Sequence, residues 1–380
     1  TSHVRLIDSS AIGFKRRYLS KGHYKDYRIK AIDSLLMPYM TETSYSIALQ
    51  QVLKQEAGVE WLPMAQLSGD YGPNIFAEVY RYGKVARLIA MEEEFDIIHA
   101  HDWMSIPAGI EAKRATGKPF ILHIHAIEFD RSGIHVNPKI YEIERLGMEA
   151  ADHIIAVSYY TKNRIMQHYG IPEWKISVVH NAVSRSESFG STGIYASKPA
   201  HKKYVLFLGR ITFQKGPDYF IEAAKLVLSK APDVHFIMAG SGDMMARMIE
   251  RVAELRIGRN FHFTGFLRGQ DVERVFAISD LYVMPSVSEP FGISALEAML
   301  YDVPVIISKQ SGAGEVLKHA LKVDFWDVRE LANKILGVLT YETVRNEMVR
   351  MCRDQIKNIR WEFVGERVIQ IYRRFLEPMV

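Results

Sequence analysis

Cysteine is all but missing. Cys352 is the single one in 380 residues, so no disulfide can form within the chain, and a reducing cytoplasm is the compartment that fits. No apolar run approaches the ~20 residues of a membrane-spanning helix, and no charged-then-apolar leader pattern opens the chain; an integral membrane protein is not expected. Charge of one sign is scarce as well. Lys and Arg number 48 against 44 Asp and Glu, a net charge of +4 that is too small to point to nucleic acid. No Gly-x-Gly-x-x-Gly occurs, which argues against dinucleotide oxidoreduction. No Asp-x-Asp occurs either, so no catalytic metal and no other cofactor is expected.

What remains is the composition of an ordinary soluble globular protein, long enough for two domains that each need no staples. The small positive excess is uneven. Residues 1–30 hold eight cations, Arg5, Lys15, Arg16, Arg17, Lys21, Lys25, Arg28 and Lys30, against Asp8 and Asp26. A solvated face is the plain reading; contact with an anionic ligand, or peripheral contact with a membrane surface, is the alternative.

Early in the chain, Val4–Asp8 reads as a strand and 43–57 has helical spacing. From Val79 onward the pattern is clearer. A helix over Val79–Met91 precedes apolar strands at Phe95–His101, Pro119–His125, Asp152–Ser158 and Ile176–Asn181. A Ser- and Gly-rich polar stretch at 184–202 reads as a linker. Beyond it come strands at Tyr204–Leu208, Val234–Ala239, Phe261–Leu267, Asp280–Met284 and, as the last clear one, Val303–Ile307. Strands alternating with helices every roughly 20–30 residues predict the α/β class with doubly wound parallel sheets, and ligands at the carboxyl ends of the strands. The expected domains are 1–183 and 203–358, followed by a terminal helical stretch at 359–380.

Four histidines sit at strand ends: His99, His101, His123 and His125. Spacing by two puts each pair on one face of its strand. A zinc site would need the two strands to be adjacent, and no Cys, Asp or Glu spacing supports it. Core or crevice histidines are the plainer reading.

Two turns carry the chemistry. After Tyr204–Leu208 comes Gly209-Arg210-Ile211-Thr212-Phe213-Gln214-Lys215-Gly216, then Pro217 at a helix start. Arg210 as a fork and Lys215 as a point charge can converge on one diphosphate; the bland reading is two solvated cations. After Asp280–Met284 comes Pro285-Ser286-Val287-Ser288-Glu289-Pro290-Phe291-Gly292, then a helix in which Ile293, Leu296, Met299 and Leu300 form an apolar stripe. Glu297 lies beside that stripe, where a carboxylate is costly unless a protein partner or a ligand hydrogen-bonds it. Glu289 and Glu297 would stand roughly 8–10 Å apart along one crevice. Between them, the helix-start N–H groups near Phe291, Gly292, Ile293 and Ser294 suit phosphate oxygens.

The string Pro-Ser-x-x-Glu-Pro-Phe-Gly-Ile-x-x-x-Glu-Ala-Met, with Gly-Arg-x4-Lys-Gly upstream, resembles the donor site of family 4 and family 5 retaining glycosyltransferases of the GT-B fold. The resemblance implies two Rossmann-like domains facing a central cleft, with the last helix crossing back to the first domain. It implies a nucleotide diphosphate sugar as donor and a carbohydrate as acceptor. Arg210, Lys215 and the helix start would hold the diphosphate, Glu289 the sugar hydroxyls and Glu297 the ribose. Gly240, in the turn Gly240-Ser241-Gly242, and the turn at Gly265 and Phe266 would line the nucleotide. The segment His125-Ala126-Ile127-Glu128 is similar to the one in family-4 glucosyltransferases such as sucrose and glycogen synthases where a histidine faces the donor sugar; a satisfied core histidine is the alternative. Acceptor attack from the leaving-group face, with the departing phosphate as base, is also implied.

The family's Gly-Gly-Leu-Gly turn occurs nowhere in the sequence. Either the chain starts after that first strand–turn–helix unit, or it is a divergent member without the loop; in both cases its activity is open. The activity implied is retaining transfer of a hexose, glucose first, from ADP- or UDP-glucose. Ala320–Asp327 is similar to the glycogen-synthase-like branch, which implies an α-glucan acceptor. A non-catalytic nucleotide-sugar-binding module and a nucleotide-sugar 2-epimerase are the alternatives, while no pyridoxal-binding lysine motif supports a phosphorylase.

Overall fold

A computed structural model describes residues 5–6, 28–29, 74–184 and 202–376. The expected helix at 43–57 and nearly all of the expected linker lie outside them. Strands β1 (Arg5–Leu6) and β2 (Arg28–Ile29) pair in parallel. Close contacts divide the chain into two units, residues 1–123 with 142–154, and residues 124–141 with 155–380.

In the first unit, helix α1 (Asn74–Glu92) packs on α2 (Asp102–Thr116). A side chain at Gly83 would press on the Pro107 backbone at 3.1 Å, so the helices approach where the sequence offers no Cβ. Strand β3 (Ile98–His101) leads straight into α2, and its neighbour β4 (Phe120–Ile124) pairs with it in parallel, with His101 opposite His123. Asp152 ties the far end: it accepts from Phe120 N at 2.7 Å and from Lys113 Nζ at 2.8 Å. With β5 (His153–Ala156) and β6 (Ile176–Val178), these strands make a four-stranded sheet in the order β3-β4-β5-β6.

The second unit is built on six parallel strands: β7 (Lys203–Leu208), β8 (Val234–Ala239), β9 (Phe261–Gly265), β10 (Leu281–Met284), β11 (Val305–Ser308) and β12 (Leu321–Val323). Their order is β12-β11-β10-β7-β8-β9. Chain order therefore reverses between β7 and β10, the place where such sheets open a ligand crevice at their carboxyl ends. Both faces are covered, which explains the nearly continuous apolar runs. Val205 and Phe207 pack on one face with Phe220, Phe236 and Leu331, while Leu206 points to the other, with Tyr282, Met284 and Leu296. Phe220 and Phe236 are fully buried, and truncating such a ring costs about 3–5 kcal/mol.

Val303–Ile307 is the last strand clear from sequence, and β12 follows it at the sheet edge. Three residues with a central lysine carry no readable alternation. Lys322 lies along the edge and donates to the Gly314 carbonyl at 2.5 Å, a charged group of the kind that blunts sheet edges. Cys352 is buried, and burial pushes its thiol up to about 11, so it stays protonated and unreactive at neutral pH.

Candidate active site

Three turns leave β7, β8 and β9 and are stitched together by main-chain bonds. Gly209 N donates to Ala239 O at 3.0 Å, Ile211 N to Ser241 O at 2.9 Å, and Gly240 N to Gly265 O at 2.8 Å. Gly240 has φ +143°, and a Cβ there would run into the Gly209 carbonyl. Only glycine fits such a position. Phe266, beyond Gly265, is exposed, with the Arg268 guanidinium over its ring at 5.1 Å.

Gln214 organises the turn after β7. Its side-chain oxygen accepts from Arg210 Nη2 at 2.9 Å. Its carbonyl accepts from Val287 N at 2.9 Å, which fastens the turn after β10 to the turn after β7 across the switch point. The next residue completes the join: Lys215 Nζ meets Glu289 Oε2 at 2.5 Å. Glu289 is only 5 % exposed. Ser286 Oγ donates to the same oxygen at 3.1 Å, and Glu289 N donates to Gln310 O at 2.9 Å. A buried carboxylate is thus held by a cation and a hydroxyl, as its burial requires.

Helix α3 (Ile293–Leu300) follows Gly292, whose φ of +98° turns the chain into the helix. Ala295, Leu296, Ala298 and Met299 are buried, whereas Ile293 is 37 % exposed. The anticipated stripe is therefore displaced at its start: Ile293 is the first helical residue and lies beyond the core that holds Leu296. Its neighbour Ser294 shares a hydrogen bond with the Tyr282 hydroxyl at 2.7 Å, and Tyr282 OH also donates to Leu208 O at 3.2 Å. Glu297 differs sharply from Glu289. Burial pushes its carboxyl above the ordinary 4.5, and among the described residues no hydrogen bond or ion pair to it is found.

Within the same unit, the Glu289 turn is also gripped by residues from 124–141 and 155–180. Ser288 Oγ donates to Asp130 Oδ1 at 2.6 Å. Its one proton is so committed, and Tyr160 OH donates to it at 3.0 Å. Asp130, 1 % exposed, pairs with Arg164 Nε at 2.9 Å and accepts from Ile127 N at 2.9 Å. Ser158 Oγ caps the helix at Tyr159–Tyr169 by accepting from Thr161 N at 2.9 Å, and it donates to Pro290 O at 2.6 Å. Glu315 accepts from Tyr159 N, Tyr160 N and His180 Nε2 at 2.9, 2.7 and 2.7 Å. Burial alone would raise its carboxyl, but the His180 hydrogen bond and the two amides outweigh it and hold the group below 4.5.

Two family profiles match in tandem: "Glycosyltransferase Family 4" over residues 58–187 and "Glycosyl transferases group 1" over residues 196–358. The chain belongs to these glycosyltransferases. An uncharacterized glycosyltransferase of Methanocaldococcus jannaschii is 29 % identical over 304 residues, covering 76 % of this chain and 77 % of its own. The glycogen synthase of Mycobacterium tuberculosis is 25 % identical over 285 residues, covering 73 % and 68 %. Among solved structures, the sucrose-phosphate synthase of Thermosynechococcus elongatus matches with a TM-score of 0.69 at 18 % identity, covering 92 % of this chain and 89 % of its own. With two parallel-sheet domains, the fold is GT-B.

In this glycosyltransferase the structure brings Arg210, Lys215 and Glu289 into one bonded group with Gln214, and places Phe291, Gly292, Ile293, Ser294 and Glu297 in sequence beyond it. His125 lies in the bend just past β4, which ends at Ile124. It therefore does not share a strand face with His123 as the spacing suggested; instead His99, His101 and His123 gather. Gln214, Asp130, Ser158, Tyr160, Arg164 and Glu315 were not foreseen. Gln214 occupies an unspecified position of Arg-x4-Lys; Asp130, Ser158 and Tyr160 reach the Glu289 turn from far along the chain, Arg164 supports it through Asp130, and Glu315 holds Tyr159, Tyr160 and His180.

Proposed function

We propose that this glycosyltransferase moves a hexose, glucose in the first instance, from ADP- or UDP-glucose to an acceptor hydroxyl with retention of configuration, and that the acceptor is an α-glucan. The observation that carries the reading is Glu297: a carboxylate with its charge disfavoured by burial and no protein partner among the described residues, one turn into a helix whose first N–H groups have no intrahelical acceptors. Ribose hydroxyls beside a diphosphate would satisfy both.

In this reading, Arg210, Lys215 and the N–H groups of Gly292, Ile293 and Ser294 hold the diphosphate. They stabilise the charge that grows on the departing nucleotide, the electrostatic contribution that usually dominates catalysis. Lys215 leaves Glu289 for the phosphate, and Glu289 accepts from sugar hydroxyls in exchange; each such charge-assisted bond is worth about 1.5–3 kcal/mol. Phe291 backs the anion site, and Gly240, Gly265 and Phe266 line the nucleotide through main chain and ring. His125 orients the sugar at the anomeric carbon. The acceptor oxygen attacks from the leaving-group face, its proton passing to the departing phosphate, and no metal enters the step. The single buried cysteine fits a cytoplasmic setting, and no helix among the described residues is long and apolar enough to cross a membrane.

The test is incubation with ADP-glucose, UDP-glucose or GDP-mannose and malto-oligosaccharides, reading nucleotide release and the anomeric configuration of the product by NMR. Nucleotide release with an α-linked product is expected. A β-linked product, or free altered sugar without transfer, would overturn the reading.

A further inference from the structure

We infer that His99, His101 and His123 form a binding site for a divalent transition metal ion of the Zn²⁺ type, separate from the groups assigned to the donor. Strands β3 and β4 are adjacent and in register, His101 opposite His123. One ring nitrogen from each of the three side chains lies within 4.8 Å of the other two. Ring centroids stand 4.5, 5.4 and 5.1 Å apart. Three imidazoles on one tetrahedral ion, with Zn–N about 2.1 Å and about 1.1 Å more to each ring centre, have centroids about 5 Å apart. The observed triangle matches that span; the rings lie near-parallel, 14–28° between planes, so loading requires them to turn until the nitrogens, now within 4.8 Å, reach the ~3.4 Å separation of a tetrahedral site.

The scaffold holds the exposed member in place. Ser105 Oγ accepts from His101 N at 2.7 Å and donates to His101 O at 2.6 Å, clasping both main-chain groups of the ligand residue. Asp102 follows in the left-handed region at φ 57°, so the chain turns away directly after His101 and fixes where the imidazole projects. Three neutral nitrogen ligands leave the fourth position to water or to an anionic oxygen, the arrangement of an open rather than a closed zinc site. Its place at the carboxyl ends of two parallel strands is where α/β sheets take ligands.

The experiment uses the full chain without an affinity tag, stripped with a chelator and desalted, then titrated with Zn²⁺ by calorimetry and with Co²⁺ by visible absorption. One equivalent is expected, with the intense d–d bands of a four- or five-coordinate ion. His101→Ala, at an exposed position that should leave the fold intact, should weaken binding by more than about tenfold, and Ser105→Ala by about tenfold through loss of the clasp. His235→Ala should change nothing; it removes the exposed His235–His262 pair at 2.9 Å, the place where a surface ion would otherwise collect. The inference fails if no stoichiometric binding occurs, if His101→Ala binds as the parent does, or if His235→Ala abolishes the signal.

Discussion

Glu289 and Glu297 flank one helix start, and the fold treats them in opposite ways. Glu289 is satisfied twice, by Lys215 and by Ser286, and its turn is anchored beside it by the Ser288 bond to Asp130. Among the described residues Glu297 is left without a protein partner, while burial disfavours its charge. A pre-paired carboxylate must exchange its partner when substrate arrives, so its effect falls on turnover and on folding. An unpaired one can only gain, so its effect falls on affinity.

The largest effect should come from breaking the pair. Glu289→Ala is expected to lower kcat by about 10²–10³-fold, and it should also lower Tm, since the largely buried Lys215 then loses its partner. Lys215→Ala should lower kcat by a similar factor with a smaller change in KM; a wild-type rate in steady-state assays would remove Lys215 from the leaving-group role. Next comes Asp130→Ala. It deprives Ser288, Arg164 and Ile127 N of one acceptor and should destabilise by about 3 kcal/mol, read by urea denaturation, while donor affinity moves little. If affinity fell as far as stability, the division between the two carboxylates would be wrong.

Glu297→Ala should weaken donor binding about tenfold or more with no loss of Tm, the reverse of the Glu289 pattern. A raised carboxyl loses its charge at a higher pH than an ordinary one. Donor affinity should therefore start to fall in mildly acidic buffer above pH 4.5, and Glu297→Gln should flatten that dependence. Glu315 supplies the smallest effect and the opposite sign. Because its carboxyl is held low, its stabilisation is present above the unfolded value near 4.5 and is lost as pH falls through the folded one. Glu315→Gln should thus reduce stability at neutral pH by about 1 kcal/mol and make no difference in strong acid.

The two regions also differ in how far they could be read from sequence. Strands β7, β8 and β10 declared themselves as apolar runs ending in glycine or proline, and the turns after them kept Arg210, Lys215, Glu289 and Glu297 within short contiguous strings. Gln214 stayed hidden because its contribution is half main chain, which any residue could supply in a string. Asp130 stayed hidden because its partner Ser288 is 158 residues away, and separation of that kind is fixed by topology rather than by local pattern. β12 was missed because three residues around a lysine give no period. The histidines show the same limit: their spacing was visible, but that β3 and β4 are neighbours, and that the chain bends off before His125, follows only from the sheet.

The central claim is that Glu297 waits for the ribose of a nucleotide sugar. The most direct measurement is calorimetric titration of the chain and of Glu297→Gln with ADP-glucose, UDP-glucose and GDP-mannose, without added metal. The account predicts that one of the glucose donors binds the parent and that the variant binds it at least about tenfold more weakly while melting no lower. Equal affinity in the two proteins would contradict it.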